Sequence, residues 1–333
     1  MNKKVLCFGE LLLRICPDNA NNWLRSNHIP IYPGGAEANV ATALSLWDIP
    51  AAYLTALPEN EMSRQISIYL QEKGIDTDRF RYEGERIGIY YLPMGVDMKN
   101  TGVIYDRRYS SFAELKKNSI DWEQIFEGIS WFHFSAICPA INEEIAGICK
   151  EALIMAEKMG IRTSLDLNYR SKLWKYGKIP AEIMKDLAVN CHLIMGNIWA
   201  AELMLGISKS DEFKPEHKES CLQQAKKTSL AIQQHFPACE AVANTFRFDK
   251  GEGIHYYTTL FTANNLYISK EYRADKVTNK VGSGDCYMAG LIYGFYHRHP
   301  PQKTVEFATA AAYYKLFITG DSTDMSVDQI NKQ

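Results

Sequence analysis

Gly282, Ser283, Gly284 and Asp285 form the stretch of this sequence with the clearest chemical potential. An apolar run with small residues follows at 286–295 and predicts a buried helix. Glycines before a helix let the backbone approach a ligand closely, and the first helical turn then offers its N–H groups to an anion. Asp285 is therefore either an N-cap, a position that aspartate favours, or a base held beside a phosphate.

A second pair of glycines opens another predicted helix at 34–44. Gly34 and Gly35 precede an alanine-rich segment, and Asn39 lies in its first turn. One interpretation is a tight turn followed by close packing of the helix on a sheet. The other is a polar site in which backbone N–H groups and the Asn39 side chain bind a ligand.

Arg170 follows a predicted strand at 162–168. In open α/β sheets, ligands bind outside the carboxyl ends of the parallel strands. Arg170 is therefore either a solvent-facing loop residue or a clamp for a carboxylate or phosphate.

Predicted strands and helices alternate along most of the chain, which indicates an α/β fold with a mainly parallel sheet. Strands are predicted at 4–8, 51–57, 131–135, 162–168, 191–197 and 240–247, and further helices at 61–73, 142–159, 198–205 and 303–318. The runs at 253–261 and 264–272 predict antiparallel edge strands, and the charged segment 208–236 predicts a solvated helix.

Residues 86–110 interrupt this alternation. Two strands, 88–94 and 101–107, flank a polar turn at 95–100 without a helix between them, so we expect antiparallel pairing. Together with 11–33 they predict a small inserted sheet that serves as a lid or an interface. The predicted organisation is one α/β core, with a β-sheet lid formed by 11–33 and 86–110; the core comprises 1–10, 34–85 and 111–333.

The composition of the chain excludes several classes of function. Its 333 residues are 46% hydrophobic and carry a net charge of −2, so no broad basic surface for nucleic acid is expected. No stretch has the length of a membrane span. The eight cysteines form no C-x-x-C pair and predict reduced thiols in a cytoplasmic protein. His297 and His299 are more typical of solvated side chains than of metal ligands.

Two glycine-opened helices with these polar groups suit the transfer of a phosphoryl group to a small hydroxylated molecule. Asp285 would take the proton of the hydroxyl, while the N–H groups of Gly282, Ser283 and Gly284 would stabilise the developing charge. The chain has no P-loop of the G-x-x-x-x-G-K-S/T type, and no G-x-G-x-x-G follows the first strand.

These motifs resemble the two signatures of the ribokinase-like (PfkB) carbohydrate kinases, and the resemblance covers essentially the whole chain. The signatures lie at 34–41 and 281–285. Within the family the chain is most similar to 2-keto-3-deoxygluconate kinases. The segments that carry this similarity are Gly88-Ile89-Tyr90-Tyr91, Tyr105-Asp106-Arg107, Asp166-Leu167-Asn168-Tyr169-Arg170 with Leu173-Trp174, and Gly320-Asp321.

The resemblance implies a three-layer α/β/α core with a β-sheet lid, and homo-oligomers that form through the lid. It implies that ATP, with Mg²⁺, phosphorylates the terminal hydroxyl of the sugar acid, with Asp285 as base; the metal ligands remain unknown. The implied substrate contacts are Gly34, Gly35, Asn39, Tyr90, Tyr105, Arg107, Arg170 and Asp321. The implied nucleotide contacts are Asn197, Thr245, Arg247, Gly282 and Gly284.

The sequence departs from the family pattern at two acidic positions. The N-x-x-E motif reads Asn197-Ile198-Trp199-Ala200, with Glu202 two residues further on, and Asn279 stands where an acid often precedes the glycines. Two alternatives therefore stay open. One is a kinase for another sugar, such as fructose or a different sugar acid, and the other is a sugar-binding paralogue with little kinase activity. Arg107 and Arg170 argue against a neutral sugar, and the retained Asp285 argues against the paralogue.

Overall fold

The computed structural model describes residues 3–17, 23–24, 27–94 and 102–332. The strands are β1 (Lys4–Phe8), β2 (Leu12–Ile15), β3 (Ile31–Gly34), β4 (Ala51–Leu54), β5 (Ala56–Leu57), β6 (Arg81–Tyr82), β7 (Gly88–Tyr91), β8 (Ile104–Asp106), β9 (Ile129–Ser135), β10 (Arg162–Asp166), β11 (Leu193–Gly196), β12 (Ala241–Lys250), β13 (Gly253–Thr262), β14 (Asn265–Ile268) and β15 (Tyr272–Ala274). The helices are α1 (Ala36–Leu46), α2 (Glu61–Glu72), α3 (Trp122–Ile125), α4 (Glu143–Lys158), α5 (Pro180–Ala188), α6 (Ile198–Leu205), α7 (Lys218–His235), α8 (Ser283–Tyr296), α9 (Pro301–Lys315) and α10 (Val327–Asn331).

The central sheet has nine strands in the order β14-β13-β12-β11-β10-β9-β1-β4, with β15 also paired to β13. The six neighbouring strands β12, β11, β10, β9, β1 and β4 run parallel, and β13, β14 and β15 add antiparallel pairs at one side. This arrangement confirms the predicted mainly parallel sheet.

Helices cover both faces of this sheet, and β1 shows why. Its side chains alternate between the faces, since Val5 and Cys7 belong to the core cluster that includes α1, α8 and α9. Leu6 and Phe8 belong to the cluster on the other face, which includes α4, α5 and α6. A strand that is apolar on both sides can be buried only between two helical layers, which gives the three-layer core.

A second sheet of four strands has the order β3-β2-β7-β8. The pairing of β7 with β8 is antiparallel, as predicted, while β2 and β7 run parallel. The predicted polar turn at 95–100 lies outside the described residues. Among the described residues, no helix combines the length and the apolar composition that crossing a membrane needs.

Three element predictions need correction. The helix predicted from 208 begins only at Lys218, because Pro215 cannot donate a backbone hydrogen bond and disfavours helix at the residue before it. The run at 253–261 is not an edge strand, since β13 pairs with β12 on one side and with β14 and β15 on the other. Helix α8 begins at Ser283, three residues before the predicted apolar run.

Candidate active site

A cavity of about 550 Å³ opens at the carboxyl ends of the central parallel strands. Residues of the second sheet line one part of it, and the first turns of α1 and α8, which are joined by a hydrogen bond between Asn39 and Asp285, line another. The lining residues used below are Glu10, Gly35, Glu37, Asn39, Tyr90, Tyr105, Arg107, Asp166, Asn168, Arg170, Asn197, Ala200, Thr245, Arg247, Lys280, Gly282, Ser283, Gly284 and Asp285. This placement brings most of the predicted site residues together.

The segment 279–285, called the anion loop from here on, leads into α8. Gly282 has a φ of 79°, and a Cβ at this position would lie 1.8 Å from the Asp321 carbonyl oxygen, so the turn requires glycine. The first helical hydrogen bond runs from the Cys286 N–H to the Gly282 carbonyl. The N–H groups of residues 283–285 precede this repeat and form the positive end of the helix.

Asp285 lies in the first turn of α8 and is almost fully buried. It accepts a hydrogen bond from Asn39 Nδ2 at 2.7 Å. The pKa of Asp285 is raised to about 8, chiefly by burial and also by the nearby charges of Asp166 and Glu37, while the Asn39 hydrogen bond and Arg170 act to lower it. The N-cap of α8 is Gly282, and no side chain caps the helix. The capping interpretation of Asp285 was therefore wrong.

The start of α1 supplies Asn39 and a buried acid. Gly35 has a φ of 143°, and a Cβ there would lie 2.7 Å from the Glu10 carbonyl oxygen. Glu37 accepts a hydrogen bond from the Ser135 N–H at 2.9 Å, and burial raises the pKa of its carboxyl group. Gly34 is not among the lining residues of the cavity, so only the second glycine of this pair reaches it.

Arg107 was predicted to contact the substrate carboxylate, but it already binds a carboxylate of the core. Its Nε lies 2.7 Å from Glu10 Oε2, and Ser110 Oγ donates to Glu10 Oε1 at 2.5 Å. Both Glu10 and Arg107 are buried. Sequence reasoning missed Glu10, although an acid directly after a buried parallel strand is a signal for a site residue.

Arg170 has a different environment. It lines the cavity, its Nη1 donates to the Tyr169 carbonyl at 3.1 Å, and its charge lowers the pKa of Asp285. Within the described part of the chain, its buried Nε has no hydrogen-bond partner. A buried N–H without a partner is costly, so this group is suited to a ligand acceptor.

Asp321 does not line the cavity. Its carboxylate is buried, binds Arg14 Nη1 at 2.5 Å and accepts from the Tyr90 hydroxyl at 2.7 Å. The predicted direct contact of Asp321 with substrate does not match this placement. Arg14 was missed because it is a single charged residue inside the apolar run of the short strand β2.

The other end of the cavity carries the residues predicted for the nucleotide. Asn197 caps α6 by accepting from the Ala200 N–H at 2.8 Å, and Thr245 and Arg247 project from β12. Lys280, which sequence reasoning missed, joins them there, with its Nζ 3.0 Å from Asp249 Oδ1. Asp249 Oδ1 also lies 3.6 Å from Arg247 Nε, so one carboxylate faces two cations and this group keeps an excess of positive charge.

The two departures from the expected acidic pattern have structural explanations. Glu202 pairs with Lys209 and does not line the cavity, so it does not stand in for an acid at Ala200. Asn279 is fully buried, and its Nδ2 donates to the carbonyls of Thr319 and Gly320 at 2.8 and 3.2 Å. Among the described residues, no group of three or more His, Cys, Asp or Glu side chains is arranged to hold a metal ion.

The model of the pfkB family carbohydrate kinases matches residues 2–327. The chain belongs to this family. A 2-dehydro-3-deoxygalactonokinase of Haloferax volcanii is 32% identical over 333 residues, which are 100% of this chain and 96% of the relative. The crystal structure of a 2-dehydro-3-deoxygluconokinase from Thermotoga maritima superposes with a TM-score of 0.90 and 31% identity, covering 99% of this chain and 98% of that one.

A putative ribokinase II from E. coli, in complex with ATP and Mg²⁺, shares the fold, with a TM-score of 0.77 at 17% identity and coverage of 99% and 98%. The predicted fold and the predicted enzyme class are thus confirmed. The chain is a sugar kinase of the PfkB family, close to kinases of 2-keto-3-deoxy sugar acids. Family membership implies that this carbohydrate kinase uses ATP.

Proposed function

We propose that this carbohydrate kinase transfers the terminal phosphoryl group of ATP to the terminal hydroxyl of a 2-keto-3-deoxy sugar acid. The observation that carries the proposal is Arg170, a cation that lines the same cavity as Asp285 and whose buried Nε has no hydrogen-bond partner among the described residues. A sugar acid brings a carboxylate for such a cation, whereas a neutral sugar does not. The similarity to kinases named for 2-dehydro-3-deoxygluconate and 2-dehydro-3-deoxygalactonate supports the same class.

Asp285 is the proposed base. Its raised pKa brings its proton affinity closer to that of a hydroxyl than an exposed aspartate would reach, which strengthens it as a base. Asn39 fixes the orientation of the carboxylate through the 2.7 Å hydrogen bond. The N–H groups at the start of α8 then stabilise the charge that develops on the phosphoryl group.

The sugar acid lies between the second sheet and the start of α1 in this proposal. Tyr90 and Tyr105 form its wall, with ring centroids 6.5 Å apart. Arg170 holds the carboxylate, because Arg107 is neutralised by Glu10 and instead fastens the second sheet to the core. Arg107 then holds Tyr90 and Tyr105 in place and does not bind the carboxylate of the substrate.

The triphosphate lies toward Thr245, Arg247 and Lys280, because the two cations outnumber Asp249 and the Thr245 hydroxyl can donate a hydrogen bond. The residues present fit Mg²⁺ that arrives with ATP. Most ligands of such an ion are phosphate oxygens and water, so it needs few ligands from the protein. Asp166 and Asn168 line the cavity and offer the oxygen atoms for an outer contact. The ion would neutralise phosphate charge during transfer.

An assay of ADP formation over a panel of sugars tests the function. The panel holds 2-keto-3-deoxygluconate, its galactonate epimer, fructose and a blank without sugar, each with ATP and Mg²⁺. We expect turnover with one or both sugar acids and little with fructose. Preference for fructose would favour the alternative sugar kinase, and no turnover across the panel would favour the paralogue with little kinase activity.

Arg170→Ala tests the carboxylate clamp. Loss of a hydrogen bond to a charged group costs roughly 1.5–3 kcal/mol, so kcat/KM for the sugar acid should fall about 10- to 150-fold. Activity on fructose should change little. Arg86→Ala is the matched control, because Arg86 pairs with Asp106 and lies outside the cavity lining. An equal loss for both sugars would contradict the clamp.

We also propose that the second sheet, with 11–33 and 86–110, acts as the lid and as the surface for homo-oligomers. Its edge strands β3 and β8 leave Ile31 and Ile104 each 52% exposed. Two such side chains on sheet edges suit burial against another copy. Light scattering tests this by comparing the molar mass of Ile104→Lys with that of the unchanged protein. We expect a lower mass for the variant. The same oligomeric mass for both proteins would contradict the proposal.

A further inference from the structure

Lys315 is a buried lysine at the end of α9 that the proposed chemistry leaves without a role. Its side chain has no exposed surface, which is rare for an ammonium group. The Ile318 carbonyl accepts from its Nζ at 3.4 Å, and it forms no ion pair with a carboxylate of the described residues. A charge in this position needs an explanation, since burying it costs free energy.

The position of Lys315 gives the explanation. A Cβ placed on Gly282 would lie 3.3 Å from Lys315 Cε, so the lysine lies directly beneath the anion loop. The charged or titratable groups that act on it are Asp321, Cys286, Asp285 and Arg14. Two of these, Asp285 and Cys286, belong to the first turn of α8.

The turn at 318–320 connects Lys315 to the same loop. Its carbonyls accept hydrogen bonds from Lys315 Nζ and from Asn279 Nδ2, which lies at the start of the anion loop. The next carbonyl, that of Asp321, packs against Gly282. Two donors thus hold the backbone on which the loop rests, and one of them is a cation.

We propose that Lys315 is a positioning residue, the fixed internal cation of the anion loop. Its ammonium fastens the 318–320 turn under Gly282 and adds positive charge behind the N–H groups of α8. This inference rests on the proposed function, since its effect is exerted on the transferring phosphoryl group. Charges interact strongly in a water-poor interior, so a cation behind the loop stabilises the transition state without touching it.

The acid–base state of Lys315 agrees with this role. The pKa of Lys315 is lowered to about 8, chiefly by burial and also by the charge of Arg14, while Asp321, Cys286 and Asp285 act to raise it. The ammonium therefore persists at neutral pH and is lost as the pH rises through about 8.

Lys315→Met and Lys315→Ala test the proposal, because the first keeps most of the volume and the second leaves space. We expect kcat on the preferred sugar acid to fall about 10- to 100-fold in both variants, with the sugar KM within about threefold of the original. Methylammonium should restore kcat in Lys315→Ala but not in Lys315→Met, with choline chloride as the ionic-strength control. Lys150→Met is the matched control, because Lys150 pairs with Asp186 on the surface.

A purely structural lysine would give other results. Unchanged kcat in Lys315→Met would overturn the proposal, as would a loss in Lys315→Ala that methylammonium does not restore. Should Lys315→Ala fail to fold, the kcat and KM of Lys315→Met decide. Because this variant removes a buried charge, we expect its melting temperature to equal or exceed that of the unchanged protein.

Calorimetric titration with ATP and with AMP separates this inference from the proposed function. Lys315→Met should weaken binding of ATP at least threefold and leave binding of AMP unchanged, whether or not any sugar of the panel is phosphorylated. Equal effects on both nucleotides would overturn the role of Lys315. Absence of turnover by the unchanged protein would count against the proposed function alone.

Discussion

Helices α1 and α8 both begin at a glycine with positive φ, carry one buried acid in the first turn and line the same cavity, yet different charges surround the two turns. The start of α1 carries Glu37, a buried acid that accepts from the Ser135 N–H. The start of α8 has Lys315 behind it and Lys280 beside it. The first turn of α1 thus has only its acid, whereas the first turn of α8 has Asp285 together with two nearby lysines that reinforce the positive helix end.

This difference teaches that a glycine-opened helix is not an anion site by itself. The N–H groups of both first turns are similar, and the residues around them select the ligand. The acidic setting of α1 suits hydroxyl groups of a sugar, whereas the basic setting of α8 suits a phosphoryl group.

The largest expected effect separates the acids of the two first turns. Asp285→Asn should lower kcat by about 10³-fold or more, in the upper range for loss of a general base, while sugar binding stays measurable. Glu37→Gln, on α1, should lower kcat less than tenfold, because Glu37 only influences Asp285 through space. Steady-state kinetics and calorimetric sugar binding check both. Comparable losses in the two variants would remove the distinction between the helices.

An intermediate effect concerns the glycines of α8. Gly282→Ala forces a Cβ against the Asp321 carbonyl at positive φ, and should lower the free energy of unfolding by roughly 2–4 kcal/mol. Gly284→Ala is the matched control, since no atom lies within 4 Å of a Cβ there, and should change stability by less than about 1 kcal/mol. Urea unfolding of both variants checks the difference. Equal stability would show that the loop does not depend on close contact with Asp321.

The smallest effect is a shift of the pH profile through Asn39, which links α1 to α8. Because the base acts when unprotonated and its pKa is raised to about 8, kcat/KM should increase as the pH rises through about 8. Asn39→Ala removes a donor that favours the charged carboxylate, so the midpoint of this increase should move to higher pH. The Lys315 ammonium is lost over the same range, as the pH rises through about 8, so it should limit this increase and turn the profile into a bell; Lys315→Met should keep only the rising limb. A flat profile above pH 5 would contradict the raised pKa of Asp285.

Much of the fold follows from local sequence. The glycines before α1 and α8 fix two turns, and the sequence, which predicts no helix between 88–94 and 101–107, indicates the antiparallel pairing that β7 and β8 show. Such elements are predictable because the residues that determine them are neighbours in the chain. The helix predicted over 208–236 fails over its first ten residues for a local reason as well, namely Pro215.

The chemistry of the site was less predictable because it depends on distant pairs. Arg107 is 97 residues from Glu10, and Arg14 is 307 residues from Asp321. From the sequence, Arg107 was expected to contact the substrate and Arg14 was not noticed. In the fold, both arginines bind carboxylates of the protein. Lys315 resembles an ordinary basic residue in the last turn of a helix, and only its burial distinguishes it.

All eight cysteines are free and buried, and one of them, Cys286, directly follows Asp285. Burial raises the pKa of Cys286 to about 12, so its thiol stays protonated and unreactive while α8 is closed. A thiol reagent can modify it only during a local opening of the structure. The rate at which a thiol reagent modifies Cys286 therefore reports how often the start of α8 opens. Any ligand that binds the anion loop should lower that rate.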